Sequence, residues 1–147
     1  MTAYAVVRPS SPEPSDPIQD LIGGTRSFLG QIEHRLEAFF EAERAEWASR
    51  HQELTVGLDV LETFVLGGGK RLRPVFAFHG FVAGGGSLDD DSIVDLACAL
   101  ELLHGFALIH DDVMDDSALR RHQPTVHQQY RRHHQAAGWH GEERRTG

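Results

Sequence analysis

"SIVDLACALELLHGFALIHDDVMDD", Ser92 to Asp116, is the stretch that decides the fold. Up to His110 it is an almost uniformly apolar helical run, with Asp95 and Glu101 its only carboxylates. A helix of that character belongs inside a bundle of other helices. It then ends in four aspartates within six positions, Asp111, Asp112, Asp115 and Asp116, with Arg120 and Arg121 close behind. Carboxylates so close repel one another, and a helix C-terminus favours cations. A ligand from outside the chain would resolve the conflict.

Outward from this run the period stays helical. Ile18, Leu21, Ile22, Phe28, Leu29, Ile32, Leu36, Phe39 and Phe40 recur mostly three and four apart, which predicts an amphipathic helix with a break at Gly23-Gly24. A second helix is expected from Leu54 to Leu66, stopped by Gly67-Gly68-Gly69, and a third from Lys70-Arg71 to about Val82, closed by Gly84-Gly85-Gly86. Ser87 or Asp89 is a candidate cap for the fourth helix, with Asp90 and Asp91 in its first turn. A fifth is expected to start near Pro124 and loses apolar content after Val126. No stretch alternates as a strand would, so the class is all-α. The expected organisation is a Pro/Ser-rich disordered arm over residues 1–17, a helical domain over 18–127, and a polar His/Arg-rich tail over 128–147.

The bulk numbers narrow the function classes. A net charge of −8 argues against a nucleic-acid role resting on overall charge. The single cysteine, Cys98, reads as a small buried hydrophobe in a reducing compartment. No secretory signal is evident, and no run is expected to reach the roughly 18 apolar residues of a membrane span. A soluble, cytoplasmic protein is the expectation.

Two sets of residues carry chemistry. Asp111 and Asp115 lie about 40° apart on a helix and roughly 6 Å along its axis, with Asp112 on the flank of the same stripe. At that separation two charges repel by roughly 3 kcal/mol at an effective dielectric of 20. Oxygen ligands one turn apart suit Mg²⁺ bridged to a phosphate. A calcium loop of EF-hand type fails, because Val113, Asp116 and His122 stand where an acid, a glycine and a glutamate are needed. The second set is basic. In "GGGKRLRP", Gly67 to Pro74, Lys70 and Arg73 are three apart and share a helix face. Cations in a first turn oppose the dipole unless an anion docks among them. This is no Walker loop, since Phe64 replaces its first glycine and Arg71 follows the lysine. Arg120 and Arg121 offer forks that fit phosphate oxygens. His104 lies two turns before Asp111, about 20° off its stripe.

In order and spacing, "GGGKRLRP", "ELLHGFALIHDDVMDDSALRR" and "PTVH" resemble the N-terminal part of the trans-isoprenyl diphosphate synthases, or polyprenyl synthetases, over about Leu54 to His127. The resemblance implies the N-terminal helices of an isoprenoid-synthase bundle, incomplete here. It implies that Asp111 and Asp115, with Asp112 beside them, bind Mg²⁺ bridging to an allylic diphosphate that Arg120 also holds. Lys70, Arg73, His104 and Arg121 would hold isopentenyl diphosphate. Metal-assisted loss of diphosphate would give an allylic cation, attacked by the isopentenyl double bond before proton loss. It also implies a homodimer for the full-length family. Phe106, an aromatic five residues before the first aspartate, resembles the pattern of geranylgeranyl-forming members; farnesyl is the other product considered.

Two departures from the family pattern stand out. His122 replaces the glycine usual after the arginine pair, which puts the placing of Arg121 in question. No second aspartate-rich motif occurs in the 147 residues, so the chain alone is expected to be inactive as a synthase. A truncated remnant, or a subunit dependent on a partner, is the leading alternative. An HD-type phosphohydrolase using His104, His110 and Asp111 leaves the basic motifs unexplained. Zinc binding by His122, His127, His133, His134 and His140 lacks both cysteines and regular spacing.

Overall fold

The computed structural model describes residues 17–87 and 90–138. The expected N-terminal arm before Pro17, the candidate cap Asp89, and the tail beyond Gly138 lie outside the described residues. Five helices run in order: α1 Pro17–Arg50, α2 Thr55–Leu66, α3 Leu72–Ala83, α4 Asp91–Met114 and α5 Val126–Ala136. A short 3-10 turn, Gln52–Leu54, joins α1 to α2. The protein is all-α, with one addition the sequence did not suggest. Leu119–Arg120 (β1) and Gln123–Pro124 (β2) pair antiparallel as a minimal hairpin between α4 and α5.

The core forms where α1, α3 and α4 meet. Phe28, Ile32, Leu36 and Phe40, spaced every four residues, form the buried row of α1. Against it lie Phe78 of α3 and Ile93, Val94, Ala97 and Cys98 of α4, with Val65 of α2 at the edge. The rings of Phe28 and Phe78 stack at 4.4 Å. Cys98 is buried here and its Sγ approaches the Ile32 carbonyl at 3.8 Å, as a small hydrophobe with a weak donor would. Burial pushes its thiol pKa upward, which keeps it unreactive.

Several boundaries differ from expectation. α1 continues through Gly23-Gly24 without a break. Asp90, rather than Ser87, caps α4, its carboxylate accepting from the Ser92 amide at 2.9 Å. α3 begins at Leu72, so Lys70 precedes the helix instead of occupying its first turn. The cause is local: Gly68 (φ 102°) and Arg71 (φ 45°) are left-handed and delay the start. α5 begins after Thr125 and runs across position 127, where the sequence reading places a domain boundary.

α4 also corrects the membrane expectation. It is 24 residues long, with a window of mean hydropathy 1.8, so length and composition alone would allow it to cross a bilayer. In this fold one face packs on α1 and α3 and carries two buried carboxylates, Glu101 and Asp112, as a core helix can. Its other face exposes Leu96, Leu103, Phe106 and Val113.

Candidate diphosphate and metal site

The four aspartates are not equivalent. Asp112 points inward and is nearly inaccessible, and Arg120 grips it with two parallel bonds of 2.8 Å, Nε to Oδ2 and Nη2 to Oδ1. Such a bidentate pair is the strongest arrangement these groups make. It holds the Arg120 guanidinium above its ordinary pKa. Asp111 and Asp115 are exposed and make no side-chain hydrogen bond or ion pair among the described residues. They stand one turn apart, with the Asp115 amide donating to the Asp111 carbonyl at 2.9 Å. Asp116 turns left-handed (φ 48°) and brings its Oδ1 within 3.9 Å of buried His127 Nε2.

The basic residues gather on a cleft of about 1140 Å³, walled by the glycine turn, the start of α3, the middle of α4, the hairpin and α5. Lys70, Arg73, His104, Arg120 and Arg121 all line it, whereas Asp111, Asp112 and Asp115 do not. Arg120 faces the cleft with its hydrogen-bonding capacity partly spent on Asp112. Arg121 donates through Nη1 to the Gly68 carbonyl, which ties the hairpin to the glycine turn. Burial first, then the Arg73 charge, depresses the pKa of His104 below its ordinary value of 6.5. A negative charge placed beside the ring would push that pKa back up.

The question raised by His122 has a structural answer. Arg121 (φ 51°) and His122 (φ 66°) form the two-residue loop between β1 and β2, and both are left-handed. A loop with that pair of conformations matches the right-handed twist of a hairpin and favours glycine or asparagine. His122 therefore keeps the turn at a conformational cost, and Arg121 still reaches the glycine turn.

Three cleft residues escaped the sequence reading. Arg71 and Glu101 form a buried ion pair at 2.5 Å, their side chains 10% and 7% exposed. A signal existed, since Glu101 is the sole carboxylate in an apolar stretch from Leu96 to His110 and needs a cation when buried. Arg132 of α5 also lines the cleft, and no motif marks it. With Arg71 paired to Glu101 and Arg120 to Asp112, Lys70, Arg73, Arg121 and Arg132 remain without a carboxylate partner among the described residues. Phe106, in contrast, is 64% exposed on the outer face of α4, near His110, and does not line the cleft.

A sequence profile of the family described as Polyprenyl synthetase matches residues 56–137, more than half of the chain. The chain belongs to the polyprenyl synthetase family. This polyprenyl synthetase chain is 46% identical over 66 residues to a short chain isoprenyl diphosphate synthase of Methanothermobacter thermautotrophicus, a match covering 45% of this chain and 20% of that protein. It is 49% identical over 59 residues to heptaprenyl diphosphate synthase component 2 of Geobacillus stearothermophilus, covering 40% and 18%. Its fold resembles the crystal structure of geranylgeranyl pyrophosphate synthase from Corynebacterium glutamicum complexed with isoprenyl diphosphate and magnesium. The TM-score is 0.71 at 36% identity, covering 80% of this chain and 34% of that one. The matches thus span about a fifth of the length of these two curated relatives.

Proposed function

We propose that this chain supplies a diphosphate-binding half-site for prenyl transfer, in which an allylic diphosphate and isopentenyl diphosphate join into a longer trans-polyprenyl diphosphate. The observation that supports the reading best is the cleft: four cations without a carboxylate partner among the described residues, and a histidine of lowered pKa, surround it. A diphosphate brings the charge such a set lacks. In this reading Lys70, Arg73, His104 and Arg121 hold the diphosphate of isopentenyl diphosphate, and Arg132 adds a fifth polar contact. Phe64, Leu72 and Leu108, which also line the cleft, would keep water from the reacting carbons.

Asp111 and Asp115 fit a hard divalent cation, being exposed, unpaired and one turn apart. No group of three or more candidate ligands stands together among the described residues. Two carboxylates with water and phosphate oxygens completing the sphere is the coordination Mg²⁺ favours. When bound there, Mg²⁺ would neutralise charge on the allylic diphosphate as its C–O bond breaks. Asp112 would act at one remove, by fixing Arg120 so that its free edge meets the same diphosphate. The C–O electron pair leaves with diphosphate, the isopentenyl double bond forms the new C–C bond, and a proton is then lost.

Calorimetry tests this directly. Inorganic diphosphate should bind the chain without metal, and Mg²⁺ should tighten binding. Lys70→Ala should weaken metal-free binding about tenfold, the loss of one charge-assisted contact. Asp111→Asn with Asp115→Asn should remove only the Mg²⁺ increment. Absence of diphosphate binding, or binding indifferent to both changes, would sink the reading. A partner-dependent subunit is a second reading, supported by the relative whose name calls it a component and by the exposed apolar stripe of α4.

A further inference from the structure

We propose that Arg71 is a positioning residue that, through Glu101, holds Lys70, Arg73 and His104 in register as one anion site. The inference rests on the diphosphate reading above and adds a residue to it. Arg71 lies between two exposed cations, yet its own side chain is turned inward and only 10% exposed. Its guanidinium is committed at both ends. Nη1 meets Glu101 Oε2 at 2.5 Å, and Nη2 donates to the Val65 carbonyl at 2.9 Å. One side chain thereby ties the end of α2, the start of α3 and the middle of α4.

The backbone tells the same story. Arg71 sits at φ 45°, ψ 37°, a left-handed conformation disfavoured for a residue with a Cβ. Strain of this kind persists only where surrounding contacts hold it, and here the contacts are the two ends of the guanidinium. The turn sends Lys70 and Arg73 outward on either side of it. On α4, His104 follows Glu101 by three residues, about 60° round and 4.5 Å along the helix. The pair therefore fixes where the loop cations stand relative to the histidine. Without it, Lys70 and Arg73 would repel each other and Arg121 freely, and an incoming anion would have to order them as it bound. Among the described residues, Glu101 is also the single carboxylate lining the cleft, and Arg71 pairs with it.

Removing either partner alone leaves a buried charge uncompensated and threatens folding. The informative variant replaces both, Arg71→Met with Glu101→Leu, because apolar groups of similar volume keep such a site packed. The double variant should melt within a few degrees of the parent, yet bind inorganic diphosphate in EDTA about tenfold more weakly. Arg71→Lys, which keeps the charge pair but cannot fork to Val65, should recover part of that loss. Amide hydrogen exchange gives a readout without ligand: residues 68–73 should exchange about tenfold faster in the double variant while the α1 and α4 core stays protected. Unchanged affinity with unchanged exchange would overturn the proposal, and so would faster exchange throughout, which marks a merely structural role. If the parent chain binds no diphosphate, the anion-site reading fails by itself. Unchanged exchange at 68–73 would then refute the positioning claim separately.

Discussion

At the scale of single residues, the hairpin loop offers a sharp test. His122 holds φ 66° where a glycine meets no steric penalty. His122→Gly should therefore raise stability by about 1 kcal/mol, less whatever the freer unfolded chain takes back. Thermal melts of the two proteins would show it, and a lower melting temperature would mean that the imidazole makes a compensating contact. His104 gives a pH prediction. Its folded pKa lies below 6.5 because burial first, and then Arg73, disfavour the imidazolium; Glu101 opposes them, and Arg121 and Arg120 add smaller effects in the lowering direction. A folded state that binds fewer protons than the unfolded one gains stability as pH rises through the window between the two values, and loses it on acidification. An anion in the cleft reverses the bias. Diphosphate binding just below pH 6.5 should take up a proton at His104, seen as a buffer-dependent calorimetric enthalpy that His104→Gln diminishes. Equal proton uptake in both proteins would assign the proton to the ligand.

Among the elements, α4 has two apolar faces with different duties. Ile93, Ala97 and Glu101 follow one another at steps of four on the inner face, and Leu96, Leu103, Phe106 and Val113 form a stripe on the outer one. Leu103→Gln with Phe106→Gln should change stability by no more than about 0.5 kcal/mol per site, because both side chains are already in water. The same double change should lower self-association in size-exclusion chromatography, since a contiguous apolar stripe invites contacts. A large loss of stability would show that the outer face is covered in solution. Such a double role explains why the sequence revealed α4 so readily and its orientation so poorly. An all-round apolar helix announces burial but has no polar side from which to read a direction. Elsewhere the elements were legible where punctuation was strong. Gly67 ended α2 as expected, whereas Gly23-Gly24 did not interrupt α1, because a helix held by Phe28, Ile32, Leu36 and Phe40 tolerates glycine upstream of them. The hairpin was invisible, since two-residue strands carry no alternation.

For the molecule as a whole, the site was legible as chemistry before it was legible as geometry. The family resemblance implied a diphosphate site at Lys70, Arg73, His104, Arg120 and Arg121, and the structure draws these residues onto one cleft from three separate stretches of chain. Sequence spacing treated Asp111, Asp112 and Asp115 as one stripe. It could not tell that Asp112 turns inward, because that depends on where the first strand of the hairpin places Arg120. Arg132 escaped notice for a similar reason: only tertiary folding brings α5 to the cleft.

The pairing of Asp112 with Arg120 bears on how long a metal would stay. With one carboxylate already satisfied, the open pair Asp111 and Asp115 carries two negative charges, equal to those a divalent ion would cancel. A third free carboxylate would deepen the trap and retain the ion after diphosphate had gone. In the proposed site, two would make a berth that fills with the substrate and empties with the product, so the inward turn of one aspartate would favour exchange over storage.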